Sequence, residues 1–302
     1  MIEIDNISKY YGSISALSGV SFKIDKGTVF GLLGPNGAGK TTTLDIISGV
    51  LRPDTGRVVV DGLSTTTDLP EIQSHIGYLS EDNPLYDDLM VYEMLEFARR
   101  LKRVDQSTFN SNKDRIIQET GISAIYYRPI ETLSKGLRQR VGIAVSMIGD
   151  PDILILDEPT EGLDPNQRQD IRALITRLGK DHTVIVSTHV MQEVEAMCNS
   201  VLILDNGKVV LEGNVESLLG DETGNMQVWL SVSGSGSIIN SLEQKYNVSH
   251  RDNHFVVMVD KENEQQLYKD IAIASSAQSY VTNMHKKSNK LEEVFQKVTK
   301  QK

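Results

Sequence analysis

Gly34-Pro35-Asn36-Gly37-Ala38-Gly39-Lys40-Thr41 fits G-x-x-x-x-G-K-[ST] at every fixed position. Residues of these types at this spacing can hold a triphosphate. The glycines let the backbone curl until successive N–H groups point at phosphate oxygens. The Lys40 ammonium adds a full positive charge near the β- and γ-phosphates, and the Thr41 hydroxyl can ligate a bridging Mg²⁺. The flanks agree with this chemistry. Val29-Phe30-Gly31-Leu32-Leu33 reads as a strand entering the loop, and Lys40–Val50 as a helix leaving it, whose N-terminal dipole favours an anion.

A second group of residues could act on the phosphate so held. Ile153-Leu154-Ile155-Leu156 is an apolar strand that ends in Asp157-Glu158. Asp157 is placed to hold Mg²⁺, directly or through water, and Glu158 to polarise a water for attack on the γ-phosphate. Leu133-Ser134-Lys135-Gly136-Leu137 lies at a loop-to-helix boundary, where Ser134 and Gly136 at a helix N-terminus make a second anion site. His250 and His254 have a turn-like Arg251-Asp252-Asn253 between them and no third ligand, which reads as surface histidines. Lys286-Lys287-Ser288-Asn289-Lys290 reads as a solvated basic loop.

These residues need a frame. Residues 1–30 read as short alternating strands with a turn at Asp25-Lys26-Gly27, and strands follow at Val58–Val60 and Ile76–Leu79. Apolar residues at 90, 91, 94, 95, 97, 98 and 101 predict a helix over 90–102. Further helices are predicted at Lys113–Thr120 and Gly136–Ile148, so that 84–148 is a helical insertion in an α/β frame. Strands return at Ile153–Leu156, Val184–Val186 and Val201–Leu204, with helices 165–178 and 191–198 between them; all-apolar strands of this kind belong in a sheet buried on both faces. Leu218–Asn225 reads as a linker. After it the order is strand (227–232), helix (237–246), strand (248–251), strand (255–259), helix (262–274), strand (280–283), a ferredoxin-like β-α-β-β-α-β, and then a final helix over Asn289–Thr299.

Composition narrows the classes. The net charge of −10 argues against a general nucleic-acid binder. Residues 221–302 hold ten basic and ten acidic side chains, so the whole excess lies in 1–220, which also indicates two units. No apolar run is long enough to span a bilayer, and the N-terminus has no secretion-signal pattern. Cys198 is the only cysteine, which fits a reducing cytoplasm, and its place in an apparent helix predicts core packing.

With Leu133-Ser134-Lys135-Gly136 added to the phosphate loop and Asp157-Glu158, residues 1–220 resemble the ATP-binding cassette (ABC) family. The signature of that family is LSGGQ; Lys135 and Leu137 depart from it. Gly162-Leu163-Asp164 falls at the distance of the family's D-loop, and Ser187-Thr188-His189 where it keeps a switch histidine. The resemblance implies a P-loop α/β nucleotide-binding domain over 1–220 with a helical subdomain at about 84–148, and the element order beyond it gives a small α+β accessory domain over 221–302. The resemblance also implies an ATPase powering a separate membrane permease, with ATP and Mg²⁺ held between two copies arranged head to tail. Glu158 and His189 would be catalytic. Tyr11 would stack on adenine, and Gly34–Thr41 with Thr42 would hold the phosphates. Ser134, Gly136 and Asp164 would act across the dimer.

After Gly77-Tyr78-Leu79 the family usually has Pro-Gln; here stand Ser80-Glu81, and Glu81 becomes a third candidate metal ligand beside Thr41 and Asp157. Glu81, Asn83-Pro84-Leu85-Tyr86, Lys135-Gly136 and the ending Leu291-Glu292-Glu293-Val294-Phe295 resemble a subgroup of exporters that includes gliding-motility, sodium-export and antibiotic-export ATPases. The expected place is cytoplasmic, peripheral to the inner face of the membrane through the permease, with no nucleic acid and no direct insertion. The alternatives are a soluble ABC ATPase acting on ribosomes or DNA, or a ligand-sensing regulatory ATPase.

Overall fold

The computed structural model describes residues 1–219, 225–234, 237–251, 254–260, 263–276, 278–287 and 291–292. The chain divides into two compact units, Met1–Val215 and Glu216 onward.

The first unit begins with β1 (Ile2–Tyr11), β2 (Ile14–Ile24), β3 (Val29–Leu33) and α1 (Lys40–Ile47). β4 (Thr55–Val60), β5 (Leu63–Ser64), α2 (Leu69–Ser74) and β6 (Ile76–Leu79) follow. Three helices come next: α3 (Val91–Leu101), α4 (Gln106–Thr120) and α5 (Lys135–Ser146). The chain then runs through β7 (Ile153–Asp157), α6 (Pro165–Leu178), β8 (Thr183–Thr188), α7 (Met191–Met197), β9 (Ser200–Asp205) and β10 (Lys208–Asn214). A short α8 (Val215–Leu219) begins at the last residue of this unit.

Two sheets result. One is antiparallel, in the order β2-β1-β4-β5; the other has the order β10-β9-β3-β8-β7-β6. In the second sheet β9, β3, β8, β7 and β6 run parallel, and β10 adds an antiparallel edge. Every residue of β3, β7 and β8 is buried, as a parallel sheet covered on both faces requires. One apolar core joins Ile4, Val20 and Val58 of the first sheet, Leu44 and Ile47 of α1, and Phe30, Leu32 and Ile155 of the second. Phe22 and Phe30 stack across it at 5.5 Å.

The local differences from the sequence reading have physical causes. The opening strands are two long partners of one hairpin, turning at Gly12 (φ +61°), not several short ones. α1 ends at Ile47, three residues before Val50, because Gly49 takes φ +71°. α4 starts seven residues before Lys113. Asp105 caps it by accepting the Thr108 N–H at 2.9 Å, a signal that apolar periodicity cannot carry. α5 ends at Ser146 rather than Ile148.

The second unit comprises β11 (Asn225–Gly234), α9 (Ser237–Glu243), β12 (Asn247–Arg251), β13 (His254–Asp260), α10 (Glu264–Ala274) and β14 (Ser279–Lys287). The sheet order β12-β13-β11-β14, all antiparallel, is the ferredoxin-like arrangement. Val228, Leu230 and Val257 pack on Ile238 and Leu242 of α9 and Leu267 of α10. Asp270 of α10 ties that helix to the turn after α9, accepting from Lys245 Nζ at 2.9 Å and the Tyr246 hydroxyl at 2.8 Å. The Lys245 bond leads in holding its carboxyl below the ordinary range. His250 and His254 lie on adjacent antiparallel strands, against Phe255 and Trp229 respectively, and not on a helix. Residues 220–224 of the expected linker lie outside the described residues. So do 288–290 of the basic run and the Asn289–Thr299 helix with its Leu291–Phe295 ending, apart from Leu291 and Glu292.

Candidate functional site

The site is built at the carboxyl ends of β3, β7 and β8, the edge where open parallel sheets place ligands. β3 delivers the loop 34–39. A Cβ on Gly34 would come within 2.4 Å of the Leu204 carbonyl oxygen, and one on Gly39 (φ +103°) within 2.7 Å of the Ala16 carbonyl oxygen. Only glycine lets the loop pass so close to its neighbours. Lys40 opens α1 and is buried to 6 % exposure; its Nζ donates to the carbonyls of Gly34 at 2.9 Å and Pro35 at 3.3 Å.

β7 and β8 bring the acids to that lysine. Thr41 Oγ1 donates to Asp157 Oδ2 at 2.9 Å. Ser187, opposite Asp157 in the β7–β8 register, donates its hydroxyl to Oδ1 and accepts the Glu158 N–H at 2.8 Å. Glu158 then turns into the left-handed region at φ +46°, a conformation that costs a non-glycine residue about 1 kcal/mol or more. That turn places Oε1 3.2 Å from Lys40 Nζ, and Oε2 3.0 Å from His189 Nδ1. A carboxylate accepts, so Nδ1 of His189 carries the proton of that bond. Oε1 is buried and pairs with Lys40 by charge, with no hydrogen-bond donor among the described residues.

A cavity of about 350 Å³ opens over these groups, lined by Asn36, Gly37, Lys40, Thr41, Thr42, Glu81 and Glu158, with Ile14–Ala16 at the start of β2. Glu81, just past β6, has its carboxyl held above the ordinary value, first by desolvation and then by repulsion from Glu161, Asp157 and Glu158. Tyr11 pairs with Ile14 where β1 meets β2, and is half exposed outside the cavity lining.

Ser134, Gly136 and Asp164 do not line this cavity; they form a second group in the chain. Ser134 caps α5, accepting the Leu137 N–H at 3.4 Å, and Asp164 caps α6, accepting the Gln167 N–H at 2.9 Å. The two helix starts abut, since a Cβ on Gly136 would lie 2.8 Å from Gln167 Cδ, and one on Gly162 2.2 Å from Lys135 Nζ.

Two contacts carry no signal in the motifs. One is the Ser187 bridge between Asp157 and Glu158. The other is the Tyr78 hydroxyl donating to Asp45 Oδ1 at 3.0 Å, which fastens β6 to α1. Burial foremost, with Asp45 and Asp157 adding, holds the Tyr78 phenol well above its usual range. Their common sign is a polar residue in an otherwise apolar strand. Cys198 is buried against Gly31, and desolvation pushes its thiol up to about 12, so it packs rather than reacts.

The donor set fits Mg²⁺ with a triphosphate. Thr41 and Asp157 present paired oxygens, and Glu81 faces the same cavity. Among the described residues no group of three His, Cys, Asp or Glu could hold a metal alone. Mg²⁺ takes one or two carboxylates and completes its shell with phosphate and water. A Cβ on Gly37 would meet nothing within 4 Å, so the loop faces open space.

The family model described as ABC transporter matches residues 17–161. The chain is similar to a linearmycin resistance ATP-binding protein of Bacillus subtilis, at 34% identity over 235 residues, 78% of this chain and 76% of that protein. It is 33% identical over 225 residues to a Nod factor export ATP-binding protein of Ralstonia nicotianae, covering 74% of this chain and 70% of that one. A dimeric ATP-binding cassette in a post-hydrolysis state, bound to ADP and phosphate, superposes with a TM-score of 0.64 at 26% identity, over 71% of this chain and 99% of that one. No helix among the described residues is long and apolar enough to cross a membrane. A loop that can cradle phosphates, a buried acid pair behind it and relatives of this extent lead to one assignment: the chain belongs to the ATP-binding proteins of ABC transporters and is an ATPase of that family.

Proposed function

We propose that this subunit powers a separate membrane permease, and that ATP is hydrolysed between two copies arranged head to tail. The observation that carries the reading is the contact set Lys40–Glu158–His189 beside Thr41–Asp157–Ser187, of which Lys40, Thr41 and Glu158 line the cavity. Lys40 and the N–H groups of 34–39 bind the β- and γ-phosphates. Glu158 accepts the proton of the attacking water through a buried carboxylate. His189 holds that carboxylate from the other side and contacts the γ-phosphate. Thr41 and Asp157, with Glu81, would hold Mg²⁺, which offsets phosphate charge when bound. Catalysis of this kind is positioning and electrostatics more than covalent chemistry.

The second group, Ser134 and Gly136 with Asp164, supports the dimer. Its helix N-terminus does not line the chain's own cavity and suits the phosphates held by another copy. Tyr11, exposed at the end of β1, suits an adenine face. The similarity to a Nod factor export protein supports outward transport. The place of action is the cytoplasmic face of the membrane, reached through the permease. Residues 1–220 form the ATP-binding domain, with the helical subdomain at about 84–148. Residues 221–302 form an accessory domain that serves dimerisation or stability.

The test is Glu158→Gln in the full chain. It should bind ATP but lose nearly all turnover, because an amide cannot take the proton, and light scattering should show ATP converting it from monomer to dimer. Ser134→Glu, added to it, should abolish that dimer. Wild-type turnover in Glu158→Gln would remove Glu158 as the base, and a nucleotide-independent mass would count against the sandwich.

A further inference from the structure

Glu193 lies in the first turn of α7 and is among the most buried charged residues described, at 1 % exposure. Thr160 Oγ1 donates to it, 2.6 Å from each carboxylate oxygen, and Thr188 Oγ1 donates to Oε2 at 2.9 Å. Arg168 Nε stands 3.9 Å from Oε1. Burying a carboxylate is costly, and an apolar side chain would fill the same space more cheaply. The three partners explain why an acid is there. Thr160 lies two residues beyond Glu158. Thr188 immediately precedes His189, and its hydroxyl also accepts the Val190 N–H at 3.1 Å. Arg168 donates through Nη2 to the carbonyl of Leu163, the residue before Asp164, at 3.0 Å. One carboxylate therefore lies under the Glu158 loop, the His189 loop and the Asp164 loop together.

We propose that Glu193 is a positioning residue that sets the Glu158–His189 geometry and links it to the segment at Asp164. The proposal rests on the reading of Glu158 as base. The threonine arms are closed hydrogen bonds, and they pin the two strand ends that carry the catalytic pair. The Arg168 arm is the loose one. Its Nε–H is buried with no hydrogen-bond partner among the described residues, and closing the gap by roughly 1 Å reaches bonding distance. A movement of the Asp164 segment that closed it would be felt at Glu158 and His189 through a shared carboxylate.

The experiment compares Thr160→Val, Thr188→Val and Glu193→Gln with wild type as full chains. It measures kcat and KM for Mg-ATP hydrolysis, the melting temperature, and the His189 tautomer by imidazole NMR, assigned by the resonances lost in His189→Gln. In the wild type the Glu158 contact fixes the proton on Nδ1 of His189. Each variant should lose about tenfold or more in kcat with KM within about threefold, as displaced catalytic groups do. Thr188→Val and Glu193→Gln should also show a mixed His189 tautomer, with the melting temperature nearly kept. Unchanged kcat in the threonine variants overturns the proposal. So does a loss of kcat that follows the melting temperature with His189 still in one tautomer, since Glu193 would then only support the fold. If Glu158→Gln hydrolyses ATP normally, the assignment of the base fails; the His189 tautomer still decides whether Glu193 positions that ring.

Discussion

The Asn83 side chain occupies the notch left by Gly142: a Cβ on that glycine would lie 2.3 Å from Asn83 Oδ1. From there its Nδ2 donates to the Arg138 carbonyl at 3.0 Å and to Gln139 Oε1 at 3.4 Å. The segment that carries Glu81 is thereby pinned to α5, the helix that Ser134 begins. A second close approach lies nearby, where a Cβ on Gly77 of β6 would sit 2.2 Å from the Ser146 carbonyl oxygen.

These two glycines should respond differently to alanine. Gly142→Ala displaces a short side chain and loses its hydrogen bonds, at about 1–2 kcal/mol. A gain of about 1 kcal/mol in helix propensity offsets most of that. Gly77→Ala meets backbone on a packed helix and should cost about 1–3 kcal/mol or more. Urea denaturation should show a midpoint near wild type for Gly142→Ala and a clearly lower one for Gly77→Ala; the reverse order would contradict the packing of α5 on β6.

Glu81 lines the candidate site's cavity with Glu158, and the Asp157 carboxylate is near enough to repel it. If it shares the metal, Glu81→Ala should keep ATP binding but need several-fold more Mg²⁺ for half-maximal hydrolysis, while Glu81→Gln, which keeps an oxygen ligand, should need less than that. A magnesium titration of ATPase rates reads the difference. An alanine variant with the wild-type magnesium curve would leave Thr41 and Asp157 as the only protein groups on the metal.

Glu96 accepts from Arg99 at 2.6 and 2.9 Å and from Arg100 at 3.1 Å, and the Arg99 bond foremost lowers its carboxyl to about 2. The folded state therefore holds the charged form more strongly than the unfolded chain, whose ordinary value is 4.5. The stabilisation is fully present above 4.5 and fades as pH falls towards 2. Partial exposure keeps it modest. Glu96→Gln should lower the denaturation midpoint at pH 7, and its gap from wild type should narrow between about pH 5 and pH 2. A gap that stayed constant would mean the arginines stabilise Glu96 no more in the fold than out of it.

The features legible in the sequence are those set by neighbours along the chain. The loop 34–41 between a strand and a helix, and the acids ending β7, each depend on a few adjacent residues. The β-α-β-β-α-β order of the second unit follows from alternating periods of two and 3.6. Pairings across distant segments were not legible. The bond of Ser187 to Asp157 requires knowing that β7 and β8 are neighbours in register. The Asn83–Gly142 notch and the three partners of Glu193 require the packing of helices on the sheet. The start of α4 was obscured because Phe109 is the only buried side chain in its first ten residues, so the capping Asp105 was the sole marker.

The left-handed turn at Glu158 has a consequence for any attempt to engineer this subunit. Glycine accepts φ +46° freely, whereas glutamate does not, so Glu158→Gly would relax the backbone by about 1 kcal/mol while removing the carboxylate. The same change would strip the buried Lys40 ammonium of its carboxylate partner, which costs more than the backbone gains. The Lys40 pair holds Glu158 against the local preference of the chain, and a library that varies Glu158 should vary Lys40 with it.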